Sequence, residues 1–135
     1  MKLTFRIKKN TAVVFDYLTD MQKFVSVHPV IYQIDHRGNE NYLVYETLKF
    51  GFVPFSFKYP VSIQKNENNQ KVTMQATVFK LTRIEMKFTL KSDHNFTLID
   101  EEISFKSPLP LKPIMKSIFK KQHALLFKNI EQKKE

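Results

Sequence analysis

Phe55-Ser56-Phe57-Lys58-Tyr59-Pro60-Val61-Ser62-Ile63-Gln64 decides how this sequence folds. Phe55, Phe57, Tyr59, Val61 and Ile63 share one face, while Ser56, Lys58, Ser62 and Gln64 share the other. A period of two over so long a run marks a strand with one buried face. The apolar face needs cover, so Phe55, Phe57 and Tyr59 are expected to look toward whatever packs on this strand.

The same pattern extends in both directions. Upstream, 42–50 reads as a strand that ends at Gly51, and Val30, Tyr32 and Ile34 alternate ahead of an Arg37-Gly38-Asn39-Glu40 turn. Downstream, Asn66-Glu67-Asn68-Asn69 is a polar hairpin turn. Strands follow with Val72, Met74, Ala76 and Val78, then with Ile84, Met86, Phe88 and Leu90. Ser92-Asp93-His94-Asn95 turns the chain into a last strand over 96–105. At the start, Leu3, Phe5 and Ile7 alternate with polar neighbours, which adds a seventh strand. Between it and the others lie two short helices, about 11–18 and 20–26. Asn10 or Thr11 caps the first, Asp20 caps the second, and His28-Pro29 stops them.

Beyond the strands, Pro108, Pro110 and Pro113 lead stiffly into a helix over about 111–132, with Pro113 tolerable only in its first turn. Leu111, Ile114, Met115, Ile118, Phe119, Leu125, Leu126 and Ile130 fall on one broad apolar face. Strands joined by short turns are antiparallel, and their sheet has one apolar face to cover. Only the last helix is long enough to cover it. The class is α+β: a seven-stranded antiparallel curved sheet wrapped around a long C-terminal helix, with two short helices after strand 1. A twisted sheet cannot lie flush on one straight helix, so a concavity is expected between them. The whole chain, 1–135, reads as one domain.

This order of elements resembles the helix-grip fold of the START-related superfamily, which includes birch-pollen-allergen-like and polyketide cyclase-like proteins. The segments that carry the resemblance are Thr11-Ala12-Val13-Val14-Phe15-Asp16-Tyr17-Leu18-Thr19-Asp20, His28-Pro29-Val30, and Pro108-Leu109-Pro110 with His123-Ala124-Leu125-Leu126-Phe127. The resemblance implies a cavity for a hydrophobic or amphipathic small molecule. It carries over no catalytic residue.

Composition narrows the chemistry. Cysteine is absent, which removes disulfides, thiol nucleophiles and Cys-ligated metals. Gly38 and Gly51 are the only glycines, so there is neither a P-loop nor a dinucleotide-binding loop. The four histidines have no ligand spacing, and no metal or cofactor is expected. The net charge of +9 invites thought of nucleic acid, but only Arg6, Arg37 and Arg83 are arginines, and base readout favours the Arg fork. Nucleic-acid binding is therefore not expected. Between 106 and 135 there are eight Lys against two Glu, enough for weak contact with an anionic membrane. No apolar run approaches the roughly 18 residues of a membrane span, and no secretory h-region is visible, so a cytoplasmic location is expected.

The candidate site residues are the polar and adaptable groups on inward faces. Glu46 shares a face with Tyr42, Val44, Leu48 and Phe50, so it is either a cavity carboxylate or a rim residue paired with a Lys. Glu101, between Ile99 and Ile103, either turns its acid toward the core side or sits at a bulge or in a cross-strand pair with a Lys. Gln122 lies at the centre of the last helix's apolar face, where it either meets a ligand or bonds to the sheet. His123 sits near the edge of that face and reads as structural. Tyr32 and Phe57 on the sheet complete the candidate ligand-binding set, with Met86 and Met115 as adaptable walls. The expected function is binding or carriage of a lipid-like, aromatic or polyketide-like molecule. The alternative is a cyclase or dehydratase with a cavity carboxylate as general base.

Overall fold

The computed structural model describes residues 1–134, with Phe50 described through its backbone only. The expectations for the Phe50 side chain and for Glu135 lie outside the described residues. The elements are β1 (Lys2–Ile7), α1 (Thr11–Thr19), α2 (Met21–Val27), β2 (Ile31–Gly38), β3 (Asn41–Phe50), β4 (Val53–Asn66), β5 (Lys71–Val78), β6 (Thr82–Asp93), β7 (Phe96–Lys106) and α3 (Lys112–Gln132). The strands form one antiparallel sheet in the order β1-β7-β6-β5-β4-β3-β2, curved around α3 in the helix-grip arrangement.

Local chemistry sets the boundaries. The Asn10 side chain accepts the Ala12 N–H at 2.8 Å and starts α1. The Asp20 carboxylate accepts the N–H groups of Gln22 and Lys23 at 3.0 and 3.2 Å and starts α2. Each bond satisfies a donor that the first helical turn would leave orphaned. Pro113 falls in the first turn of α3, where its missing N–H costs nothing.

Two irregularities shape the interior. The pairing of β2 with β3 shifts register between Ile31 and Gln33, a bulge that breaks the alternation expected there. Ile31 and Ile34 consequently turn inward, and Tyr32 turns out. The second lies in β4. Its residues 53–62 pair with β3, but its ladder with β5 begins only at Val61↔Ala76, just after Pro60. Proline donates no ladder hydrogen bond, so the first half of β4 parts from β5. Across that gap Phe79 touches Phe55 and Phe57, with ring centroids 5.9 and 5.2 Å apart.

The core is packed at one end of α3. Leu126, Phe127 and Ile130 are fully buried with Val14, Leu18, Phe88 and Ile99. Phe127 packs against Phe5 with ring centroids 4.7 Å apart, and Asn129 ties α3 to the end of α2 through the Val27 carbonyl. Toward its N-terminus α3 stands away from the sheet, and Ile114 is exposed. Leu125, expected on the apolar face, is also exposed, because the sheet covers a narrower stripe of the helix than the wheel suggests.

Candidate functional site

Lifting the N-terminal half of α3 leaves a cavity of about 280 Å³ between helix and sheet. Its walls are apolar side chains, including Val44, Ile63, Met74, Ile84, Ile118 and Phe119. Few polar groups reach it, and these come from different elements.

β3 and β4 supply the first pair. Tyr59 donates its phenolic hydrogen to Glu46 Oε1 at 2.6 Å, and both side chains are buried. Burial pushes the Glu46 carboxyl above its usual range, partly offset by the Tyr59 bond and the nearby His123 charge. The Tyr59 hydroxyl is held well above its ordinary value by burial, with the neighbouring carboxylate adding to it.

His28 ends α2 and lines the cavity. Its Nδ1 accepts two backbone N–H groups, from Val30 at 3.2 Å and Ile31 at 3.1 Å. A nitrogen that accepts cannot also carry a proton, so the neutral ring keeps its hydrogen on Nε2. Burial, aided by the His123 charge, depresses the His28 pKa to about 3. His28 is thus a neutral donor.

The third group joins β7 to α3. His123 Nδ1 lies 2.7 Å from Glu101 Oε1 and 2.6 Å from Oε2, with both side chains almost wholly buried. The bond to Oε1 is the better formed, and Oε2 has no donor of its own. Glu101 does not reach the cavity wall; His123 does, and Glu101 stands behind it. The ring packs against Phe88 and Phe119 at 6.0 and 5.2 Å. Beside it on the helix, Gln122 also lines the cavity, and its amide makes no hydrogen bond among the described residues.

The structure therefore brings Glu46, Phe57, Met86, Met115 and Gln122 together around one space. Tyr32 is a correction: it is 54% exposed on the outer face against Tyr45, because the β2 bulge reverses its direction. Phe55, expected to face the last helix with Phe57 and Tyr59, lies instead at the cavity rim against Phe57 and Phe79. Phe57 and Tyr59 face the cavity, which lies between them and the helix. His28, His123 and Tyr59 were not among the expected ligand-contacting residues. The alternation of Tyr59 with Phe57 and the position of His123 near the helix's apolar face hinted at the places of those two; nothing in the sequence pointed to His28. No three His, Asp or Glu groups among the described residues stand close enough to hold a metal ion. Among these residues no helix is long and apolar enough to cross a membrane.

The architecture has structural counterparts. The di-domain ARO/CYC BexL from the BE-7585A biosynthetic pathway superposes with a TM-score of 0.82 at 10% identity, over 97% of this chain and 46% of BexL. This chain thus spans less than half of that protein. A START superfamily protein from Mycobacterium smegmatis gives a TM-score of 0.72 at 13% identity, covering 97% of this chain and 93% of the other. Ara h 8.0201 gives 0.73 at 16% identity, with the same coverage. At such identities the likeness speaks for the fold alone. No curated protein matches the sequence. Sequence kinship comes from a family model, that of the CoxG subunit of carbon monoxide dehydrogenase, which matches residues 4–133. That span takes in most of β1, the rest of the sheet and all of α3, including every polar group of the cavity, and so this chain belongs to the CoxG family.

Proposed function

We propose that the protein binds a neutral, largely apolar small molecule in the cavity between the sheet and α3. The observation that carries this reading is the cavity itself: about 280 Å³ walled by apolar side chains, with a few polar groups converging on it. Vacating such a space in a folded core is costly, since its lining forgoes contacts on one side, and an apolar occupant restores them. Uncharged handles suit an uncharged ligand. His28 offers an N–H, the Gln122 amide offers both a donor and an acceptor, and burial works against the charged form of Glu46. Glu46, Phe57, Met86, Met115 and Gln122 are the ligand contacts in this reading, with His28 and His123 added and Glu101 acting through His123.

Native mass spectrometry of freshly purified protein tests it. A retained apolar molecule, or stoichiometric uptake of a fluorescent apolar probe that Ala76→Phe abolishes, is the expected result. A protein that carries nothing and takes up no probe overturns it.

A second reading is proton-transfer chemistry on the same scaffold, and the Glu101–His123 pair favours it. A carboxylate that orients one imidazole nitrogen leaves the other for a bound substrate. If the retained molecule is converted on incubation by wild type but not by Glu101→Gln, that reading holds; unchanged recovery from both rejects it.

A further inference from the structure

The two ends of the sheet are chemically unlike. Successive hairpins of an antiparallel sheet alternate between its ends. At one end the turns are Gly38-Asn39-Glu40, Glu67-Asn68-Asn69-Gln70 and His94-Asn95, all polar. At the other end they are Gly51-Phe52, Phe79-Lys80-Leu81 and the 107–111 loop that leads into α3. There Phe52 is fully exposed, and Val53, Phe79, Leu81, Leu109 and Ile114 are each at least half exposed. Such a concentration of large exposed apolar groups is unusual on a soluble surface.

These three turns form one continuous surface. Phe79 packs on Phe55 and Phe57, which joins the second turn to β4 just past the first. Thr82 donates to Ser107 at 3.0 Å, which joins the second turn to the loop before α3. The cavity opens here, because Phe79 and Ile114 both line it and face solvent.

Charge singles out the same end. Residues 47–58, 78–84 and 105–121 hold two, two and five Lys or Arg respectively, and no Asp or Glu. Lys80, Lys112 and Lys116 are exposed beside the apolar tips, as is Lys49. Phe79 and Lys80 both have positive φ, 54° and 61°, where turns ordinarily use Asn-Gly. The turn therefore holds an aromatic ring and a cation at its tip, where the positive-φ side chains at the opposite end are Asn39, Gln70 and His94.

We infer that this end of the molecule docks on an anionic phospholipid bilayer, with Phe52 and Leu81 entering the interface, the lysines meeting the headgroups, and the cavity mouth held against the membrane. Apolar tips supply the salt-resistant part of the binding, and each nearby Lys adds an increment that depends on anionic lipid.

The test uses the full chain with phosphatidylcholine vesicles, with and without about one-third phosphatidylserine. The protein contains no tryptophan, so Phe52→Trp introduces a single reporter in a fully exposed position. Expected are co-flotation with the anionic vesicles at about 0.15 M salt, a blue shift of the introduced indole's emission, and its quenching by brominated acyl chains. Asn68→Trp, at the opposite end, should show no shift. Phe52→Ser should leave the melting temperature unchanged and weaken vesicle binding about tenfold. The proposal is overturned by absence of flotation at that salt, by flotation that Phe52→Ser does not weaken, or by a shift at position 68 rather than 52. Phe52 does not line the cavity, so the outcome is separate from whether the cavity holds a ligand.

Discussion

His123 Nδ1 faces both carboxylate oxygens of Glu101 at once, at 2.7 and 2.6 Å, and both side chains are almost wholly buried. The ring hydrogen goes to Oε1, Oε2 has no hydrogen-bond partner, and no lysine or arginine among the described residues assists. Such a pair contributes little beyond what two apolar residues would, since desolvation offsets the attraction, but breaking it strands a buried charge. His123→Leu is therefore expected to destabilise the protein by about 3–5 kcal/mol, while Glu101→Leu combined with His123→Leu recovers most of the loss. Urea unfolding of wild type, the single variants and the double variant measures the coupling. Additive losses would show that the contact carries no coupling energy.

His28 sets a pH dependence whose sign follows from its burial. Its folded pKa of about 3 lies far below the ordinary histidine value of 6.5. Between these two values the unfolded chain holds the proton and the folded protein does not, so acid favours unfolding. The stability His28 contributes is complete above pH 6.5 and is lost progressively as the pH falls toward 3. The loss amounts to a few kcal/mol, at about 1.4 kcal/mol for each pH unit crossed. Glu46 works in the opposite sense. Its raised folded pKa means its contribution is full below the ordinary carboxylate range and falls as the pH climbs through the folded value. His28→Asn keeps a side-chain acceptor for the Val30 and Ile31 N–H groups and removes the titration. Denaturant midpoints from pH 7 to pH 4 should fall less steeply in this variant than in wild type. Parallel curves would rule out His28 as the source of the acid sensitivity.

The fold was legible because its signals are periodic. Phe57, Tyr59, Val61 and Ile63 repeat every two residues, and Met115, Ile118, Phe119 and Gln122 recur at helical spacing, so a burial pattern converts directly into a face. The site's polar members were legible where a polar residue interrupted such a pattern, as Glu46, Glu101 and Gln122 do. Tyr32 misled because the β2 bulge inserts a residue into the register, and nothing in Val30-Ile31-Tyr32-Gln33-Ile34 announces it. The partnerships of Glu101 with His123 and of Glu46 with Tyr59 span 22 and 13 positions of chain. They depend on the angle at which α3 crosses the sheet and on which strands are neighbours, and neither is a local property. The unlike ends of the sheet were written in the turn residues all along. They acquire meaning only once the topology sorts alternate turns to opposite ends.

Gln122 distinguishes a ligand handle from a structural amide. It lines the cavity without a hydrogen bond to a described residue. Gln122→Leu should consequently leave stability unchanged or raise it, since no partner is stranded. It should also weaken a ligand bearing a carbonyl or hydroxyl by about 2–10-fold, the worth of one net hydrogen bond. Melts with and without a fluorescent apolar probe, followed by displacement with polar and purely apolar competitors, separate the two effects. A loss of about 1–3 kcal/mol in the empty protein would instead identify Gln122 as part of the core.

Lys80 joins stability to the membrane surface. Its φ of 61° lies in the left-handed region, which costs a side-chain-bearing residue about 1–2 kcal/mol relative to glycine. The side chain is exposed, and the turn is closed by the backbone bond from Leu81 N–H to the Val78 carbonyl at 3.2 Å, so the substitution removes strain without removing a packed contact. Lys80→Gly is expected to stabilise the protein by about 1 kcal/mol, after the added freedom of the unfolded chain is counted. The same change deletes a cation at the docking end and should weaken binding to phosphatidylserine vesicles by severalfold, with no effect on phosphatidylcholine alone. His94 offers the control, since it too has a positive φ, 57°, but stands in a turn at the opposite end of the sheet. His94→Gly should stabilise by a similar amount and leave vesicle binding unchanged. Equal effects of the two substitutions on vesicle binding would mean that Lys80 is not held in its strained turn for the membrane's sake.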